Sequence, residues 1–228
     1  ADLSPDYLNS FTPGTIVEHL KYHRDYYRVI RQKSLTVAEE CSDHWSVLVM
    51  SRDTPGLLAK ICGVMTLNNL TVVNAQIFTW VDGTVVDVID VRPSDGLPFE
   101  ERDWSKLNED LDKSVSHRLG LGYRLYEKLK NSYSHKRDLT GSQEHRVILD
   151  NDGSEDFTIV EVHAADLPGQ LYRIAQTLAD LGINIHKAFI ATEIGQLIDV
   201  FYVLDRNGRR IEGEEYRQEV TRGLLHAI

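Results

Sequence analysis

Cysteine is scarce: Cys41 and Cys62 are the two in a chain of 228 residues. Their spacing fits neither a metal site nor a redox motif, so both are expected to stay reduced, with Cys62 a small core residue on a helix. Long apolar runs are missing as well. None approaches the roughly 18–20 residues needed to span a bilayer. The start, Ala1-Asp2-Leu3-Ser4-Pro5-Asp6, lacks the basic and apolar parts of a signal peptide. A cytoplasmic chain with no membrane partner is expected. Ala1 in place of an initiator Met suggests an excised fragment. Positive charge is also short. With 25 Lys and Arg against 35 Asp and Glu the net charge is −10, which argues against a general nucleic-acid surface. The basic clusters Lys21 to Lys33 and Tyr123 to Arg137 carry tyrosines at helical spacing and read as solvated helix faces.

Catalytic signatures are absent too. There is no His-Asp dipeptide, no P-loop and no nucleophile elbow. His19 and His23, four apart in a helical stretch without a Glu-flanked zinc pattern, read as surface residues. Gly141-Ser142 followed by Asp150-Asn151-Asp152 imitates the motif by which nucleotidyltransferases hold two Mg²⁺ ions. The gap is too short, and Gly153 interrupts the strand that should present the carboxylates, so a hairpin turn explains it better. No catalytic residue, cofactor or metal ligand is expected here.

What the chain does have is a repeat. Arg52-Asp53-Thr54-Pro55-Gly56-Leu57-Leu58 returns as Ala165-Asp166-Leu167-Pro168-Gly169-Gln170-Leu171, an offset of 113 residues. Ile61, Ala75, Ile77 and Thr79 match Ile174, Ala188, Ile190 and Thr192. After the loss of one residue near Gly83 and Gly195, Asp87-Val88-Ile89-Asp90-Val91 matches Asp199-Val200-Phe201-Tyr202-Val203. Such self-similarity means tandem copies of one small module. At 42% hydrophobic and 26% charged residues, each copy can bury a core.

Periodicity supplies the elements. Residues 1–40 read as a helical lead-in, with Thr12 as N-cap, Pro13 at the first helical position, and Ile16, Leu20, Tyr27 and Ile30 as its apolar stripe. Module one, 41–131, reads as strand, helix, hairpin of two strands about Asp82-Gly83, a loop at Pro93 to Phe99, and a helical extension that breaks at Gly120 or Gly122. Residues 132–145 form a polar linker. Module two, 146–228, repeats the order, with an extra strand at Arg146 to Leu149 and a weakly written fourth strand at Arg209-Arg210-Ile211. The fold class is α+β, two tandem ferredoxin-like βαββαβ modules.

Each Asp-x-Pro-Gly turn joins a strand to a helix N-terminus, where backbone N–H groups lack partners and the helix dipole favours an anion. Gly56 and Gly169 let a ligand approach the backbone closely. Asp53 and Asp166 can accept from an ammonium. These parts suit a free amino acid, although Asp, Thr, Pro and Gly also serve simply to cap and turn.

On these residues the modules resemble ACT domains, small βαββαβ regulatory modules that bind amino acids between paired copies. The runs Val147 to Asn151, Ile159 to Asp166 and Asp199 to Val203 are similar to the C-terminal region of the bifunctional uridylyltransferase/uridylyl-removing family, as are Asp95 to Phe99, Asp6-Tyr7-Leu8 and Ser10 to Pro13. The resemblance implies a glutamine-sensing region. Its parent enzyme adds UMP to the signalling protein PII through a nucleotidyltransferase domain and removes it through a metal-dependent HD domain. Mg²⁺ is implied for those catalytic domains alone. By motif, the effector sites are Asp53, Thr54, Pro55, Gly56, Leu57 and Leu58 in module one, and Asp166, Leu167, Pro168, Gly169, Gln170 and Leu171 in module two. Asn184 is a further contact, with Thr71 in the corresponding place and Asn74 three residues on; His186 is read as structural. Two other readings stand beside this one: a structural ACT pair that self-associates through exposed sheet edges, and a free-standing regulator of another small amino acid.

Overall fold

The computed structural model describes residues 3–29, 34–94, 99–100, 103–136, 145–193 and 196–228. Two helices lead in, α1 (Pro5–Ser10) and α2 (Pro13–Val29). Module one comprises β1 (Leu35–Glu40), β2 (Trp45–Arg52), α3 (Leu57–Leu67), β3 (Leu70–Thr79), β4 (Thr84–Pro93), α4 (Asp103–Val115) and α5 (Leu121–Lys136). Module two comprises β5 (Arg146–Asp150), β6 (Thr158–Ala165), α6 (Gln170–Asp180), β7 (Ile183–Glu193), β8 (Gln196–Asp205) and α7 (Glu214–Ala227). The eight strands form one antiparallel sheet in the order β1-β2-β4-β3-β7-β8-β6-β5.

The tandem ferredoxin-like architecture is as expected, but each edge strand comes first in its module rather than last. β1 lies beside β2, and β5 beside β6, where a βαββαβ module seats its final strand. Leu35–Glu40, assigned by sequence to the helical lead-in, is therefore a strand, paired from Leu35 opposite Met50 to Glu40 opposite Trp45. Its run Leu-Thr-Val-Ala is short, and β-branched residues gain from a pleated neighbour that sequence alone does not reveal. Arg209-Arg210-Ile211 is not a strand. With β5 already on that edge, the Ile211 N–H donates to Thr158 Oγ1 at 2.8 Å, and Arg210 donates to the carbonyls of Asn151 and Ser154, each at 3.1 Å. Of the expected linker, α5 runs on to Lys136, and residues 137–144 lie outside those described, as do Ile30, Asp95 to Pro98, Gly141-Ser142 and Gly195.

β3 and β7 join the modules, pairing Asn74 with Ala191, Ala75 with Ile190 and Gln76 with Phe189. Phe189 stands 113 positions after Gln76, the repeat offset itself, so a pseudo-twofold axis passes through this pair. Both strands shift register at one residue, Val73 and His186, also 113 apart. On one face of the sheet, α3 and α6 pack against each other across the axis. They close a shared core containing Val49, Ile61, Met65, Val162, Ile174 and Phe201.

The opposite face is covered unequally. Over module one, Tyr7 of α1 is fully buried, edge-on to Phe78 at 5.3 Å and to Trp80 at 5.4 Å. Its hydroxyl meets Nδ1 of His19 at 2.7 Å. His19 is thus no surface residue. α2 turns Ile16, His19, His23 and Tyr26 toward the sheet, while Leu20, expected in the apolar stripe, is exposed. Burial lowers the pKa of His19 and raises that of Tyr7, which keeps both neutral. Over module two, Phe157, Phe189 and Tyr202 are half-buried. Lys187 lies 4.9 and 4.8 Å from the rings of Phe189 and Tyr202, and its ammonium reaches Asp6 of α1 at 3.0 Å.

Close packing of α3 has a testable consequence. A Cβ on Gly63 would fall 2.8 Å from both Leu121 and Tyr172 and 3.1 Å from Leu125. Losing a helical Gly gains at most about 1 kcal/mol, whereas overpacking costs about 1–3 kcal/mol. Gly63→Val is expected to lower stability by about 2 kcal/mol in urea unfolding, with the near-UV spectrum retained.

Candidate functional site between the modules

The two repeated loops close their helices in a way sequence did not foresee. Gly56 (φ 73°) and Gly169 (φ 76°) are the N-caps, each left-handed, and neither helix receives a side-chain cap. Pro55 and Pro168 therefore precede the cap instead of opening the helix, and Asp53, Thr54 and Asp166 are not caps. The first N–H of each helix, on Leu57 and Gln170, donates to the carbonyl of Thr54 or Leu167 at 3.0 Å. The next two, on Leu58 and Ala59 and on Leu171 and Tyr172, are those an α-helix leaves without a partner. With no carboxylate or hydroxyl spent on them, they remain available to an anion.

Each loop faces the other module. Asp53, Thr54, Pro55, Gly56, Leu57 and Leu58 line a cavity with Ala175 and Ala179 of α6 and with Asn184 and Ile185 of β7. Asp166, Leu167, Pro168, Gly169, Gln170 and Leu171 line the related cavity with Cys62 and Thr66 of α3 and with Thr71 and Val72 of β3. Asn184 thus belongs with the module-one loop and not with its own. Small residues on the crossing helix make room. The nearest atom to a Cβ built on Gly56 would be the Ala179 methyl, at 3.4 Å. The cavities measure about 40 and 30 Å³, space for water but less than an amino acid occupies. A wider hollow of about 210 Å³ lies beside Trp45, Trp104 and Asn108 at the outer edge of module one, and neither loop lines it.

The two sites have diverged. At the position of exposed Asn184 the second site has Thr71, whose hydroxyl is engaged with Ser94 at 3.1 Å. Where the first site has Leu57, the second has Gln170, buried, with Nε2 donating to the Ala227 carbonyl at 2.9 Å. Asn74 faces away from both cavities and donates to Asp90 at 2.9 Å. His186 sits in the β-bulge against Phe157, at 5.5 Å between ring centres.

Sequence reasoning missed the groups beneath the loops. Asp87 of β4 and Asp199 of β8 are 1% and 0% exposed, and none of their four carboxyl oxygens has a hydrogen-bond partner. Both point to the helix-covered face, Asp87 between Val85 and Ile89 along its strand and opposite Val49 and Ile77 on its neighbours. Burial raises both pKa values well above the usual carboxyl range; Asp53 adds to this for Asp87, as Asp166 does for Asp199. The Phe78 backbone lowers the pKa of Asp87 in part, without reaching hydrogen-bond geometry. The Thr54 hydroxyl is likewise buried and unpartnered. An Asp at the inward phase of two matching β-branched strands was the available signal. It had served only to align the repeat.

Two modules that pair by the strand following their first core helix, β3 with β7, and offer loop-and-strand sites across a helix crossing are ACT domains. Residues 153–225 match the N-terminal ACT domain of the ACR family. Over most of its length the chain is similar to the C-terminal region of bifunctional uridylyltransferase/uridylyl-removing enzymes. It is 30% identical over 230 residues to that of Rhodospirillum rubrum, covering 98% of this chain and 24% of the relative. For Cereibacter sphaeroides the figures are 31% over 176 residues, 77% and 19%. For Azospirillum brasilense they are 32% over 185 residues, 80% and 20%. The chain therefore spans about a fifth to a quarter of these relatives' length. Among the described residues no cluster of metal-ligating side chains occurs, and no helix is long and apolar enough to cross a membrane.

The buried carboxyls make stability depend on pH. Their folded pKa values are raised, so their contribution is fully present below ~3.9, the unfolded Asp value, and is lost as pH rises. Asp87→Asn combined with Asp199→Asn removes that loss. Between about pH 4.5 and 7.5, the wild type should lose on the order of 1 kcal/mol or more relative to the double variant in urea unfolding.

Proposed function

We propose that this chain is a glutamine-sensing regulatory region that controls the addition and removal of UMP on PII by the enzyme that carries it. The observation that carries this reading is a site shared between modules: an uncapped helix N-terminus from one and a side-chain amide from the other. A free amino acid offers matching groups. Its carboxylate suits the N–H groups of Leu58 and Ala59, and a side-chain amide suits Asn184, which can both donate and accept. Glutamine, UMP and PII enter through the similarity to the uridylyltransferase/uridylyl-removing enzymes.

The size of the cavity bears on regulation. At about 40 Å³ it must widen to admit an amino acid, which means parting the 53–58 loop from α6 and β7. A ligand that binds only the widened arrangement draws the population toward it, and this differential affinity is what an effector needs to act at a distance.

Thermal unfolding with glutamine, glutamate and asparagine tests the reading. At ten times its dissociation constant a ligand adds about 1.4 kcal/mol, a rise of roughly 3–5 °C in midpoint for a chain of this size. The expected result is a rise with glutamine that exceeds the other two and is lost in Gly56→Val. No rise with any of the three would favour a structural pair whose role is self-association.

A further inference from the structure

We propose that Asp87 is the group that receives the ligand's α-ammonium in the site between the 53–58 loop and Asn184, and that Asp199 has no such role, so that the tandem pair is a one-site sensor. This rests on the amino-acid reading above and deepens it.

Asp87 lines the first cavity, whereas Asp199 does not line the second, where Gln170 fills the place of Leu57. Asp87 is 1% exposed, both its oxygens are unpartnered, and its neighbours along and across the sheet are Val85, Ile89, Val49 and Ile77. A carboxyl in such surroundings is costly unless a donor or cation reaches it. The cavity above it is the route for one. Asp53, read from sequence as the ammonium partner, is exposed, and a solvated ion pair adds little to affinity. The same ammonium placed on Asp87 is desolvated, so an amine at that position becomes a requirement. Asp53 then stands at the mouth, where its charge favours an incoming cation. The helix N–H groups of Leu58 and Ala59 and the Asp87 carboxyl belong to the lining of the same cavity. Together they match the carboxylate and the ammonium of one zwitterion.

Proton balance gives a distinct signature. The groups that act electrostatically on or with Asp87 are Asp53 from the loop and Cys62 from α3, and Asp53 acts in turn on His186 of β7. Burial and Asp53 raise the Asp87 carboxyl well above the usual carboxylate range, which favours its protonated form in the free protein. Ammonium binding needs the carboxylate, so the carboxyl proton leaves to buffer as the ion pair forms.

Calorimetric titration of the 228-residue chain with L-glutamine and with glutaramate, its counterpart lacking the α-amino group, tests the assignment. The expected result has three parts. Glutaramate binds on the order of thirtyfold more weakly or worse. Asp87→Asn weakens glutamine by a similar factor, while Asp199→Asn leaves it within about twofold. Near pH 7, glutamine binding releases about one proton, read from its heat in buffers of different ionisation enthalpy, and Asp87→Asn abolishes the release. Glutamine binding that is unchanged in Asp87→Asn, or that releases no proton in the wild type, overturns the Asp87 assignment and leaves the sensor reading standing. Equal loss in both Asn variants overturns the one-site claim. A wild type that binds neither glutamine nor any other common amino acid overturns both readings together.

Discussion

The pairing of β3 with β7 is the constraint on which the rest depends. It turns two four-stranded sheets into one of eight and sets Gln76 against Phe189, its own counterpart in the repeat. Once that register is fixed, α3 and α6 must cross over the axis, because each is tied to its own strand by a short turn. That crossing brings the N-terminus of each helix beside small residues of the other, Ala175 and Ala179 on one side and Cys62 and Thr66 on the other. The sites between modules are a by-product of strand pairing. A register slip by one residue would reverse the faces of β7 and destroy both.

Within this frame the two buried aspartates are the unusual expense. A strand interior flanked by Val and Ile is where a hydrophobic residue would ordinarily sit, and an apolar replacement would suit the fold better. Module two keeps its Asp199 although the cavity there no longer reaches it. Descent from a common ancestor explains that retention. Gln170 and Thr71 show how the second site drifted: one side chain turned inward to the end of α7, and the other spent its hydroxyl on Ser94.

Much of this was legible in the residues. The 113-residue offset fixed the tandem α+β architecture, and the hairpin at Asp82-Gly83 falls where turn chemistry puts it. The loops were found because Asp-x-Pro-Gly recurs at matching places in the two modules, and Pro-Gly is a strong local turn signal. What was missed is non-local. Leu35–Glu40 has two β-branched residues, Thr36 and Val37, and no periodicity long enough to separate it from the helix before it. His19 looked exposed because the face of α2 that is buried depends on Tyr7, Phe78 and Trp80, none of which is near it in sequence. Asn184 was named as a contact, but which loop it serves follows from the sheet, which carries it to that of module one. Asp87 announced itself only as a repeated letter.

A symmetric interface of this kind could be built by two separate copies of one module. Joining them in a single chain changes the order of the reaction. Association of free copies depends on how much protein is present, whereas tethered halves meet at an effective concentration set by the connection between them. Occupancy of the shared site then follows the abundance of the small molecule and is indifferent to how strongly the gene is expressed. Tethering also frees the halves from identity, since a change in one is no longer imposed on both sides of the axis. The difference between Leu57 and Gln170 is available only to a protein that has given up exact symmetry.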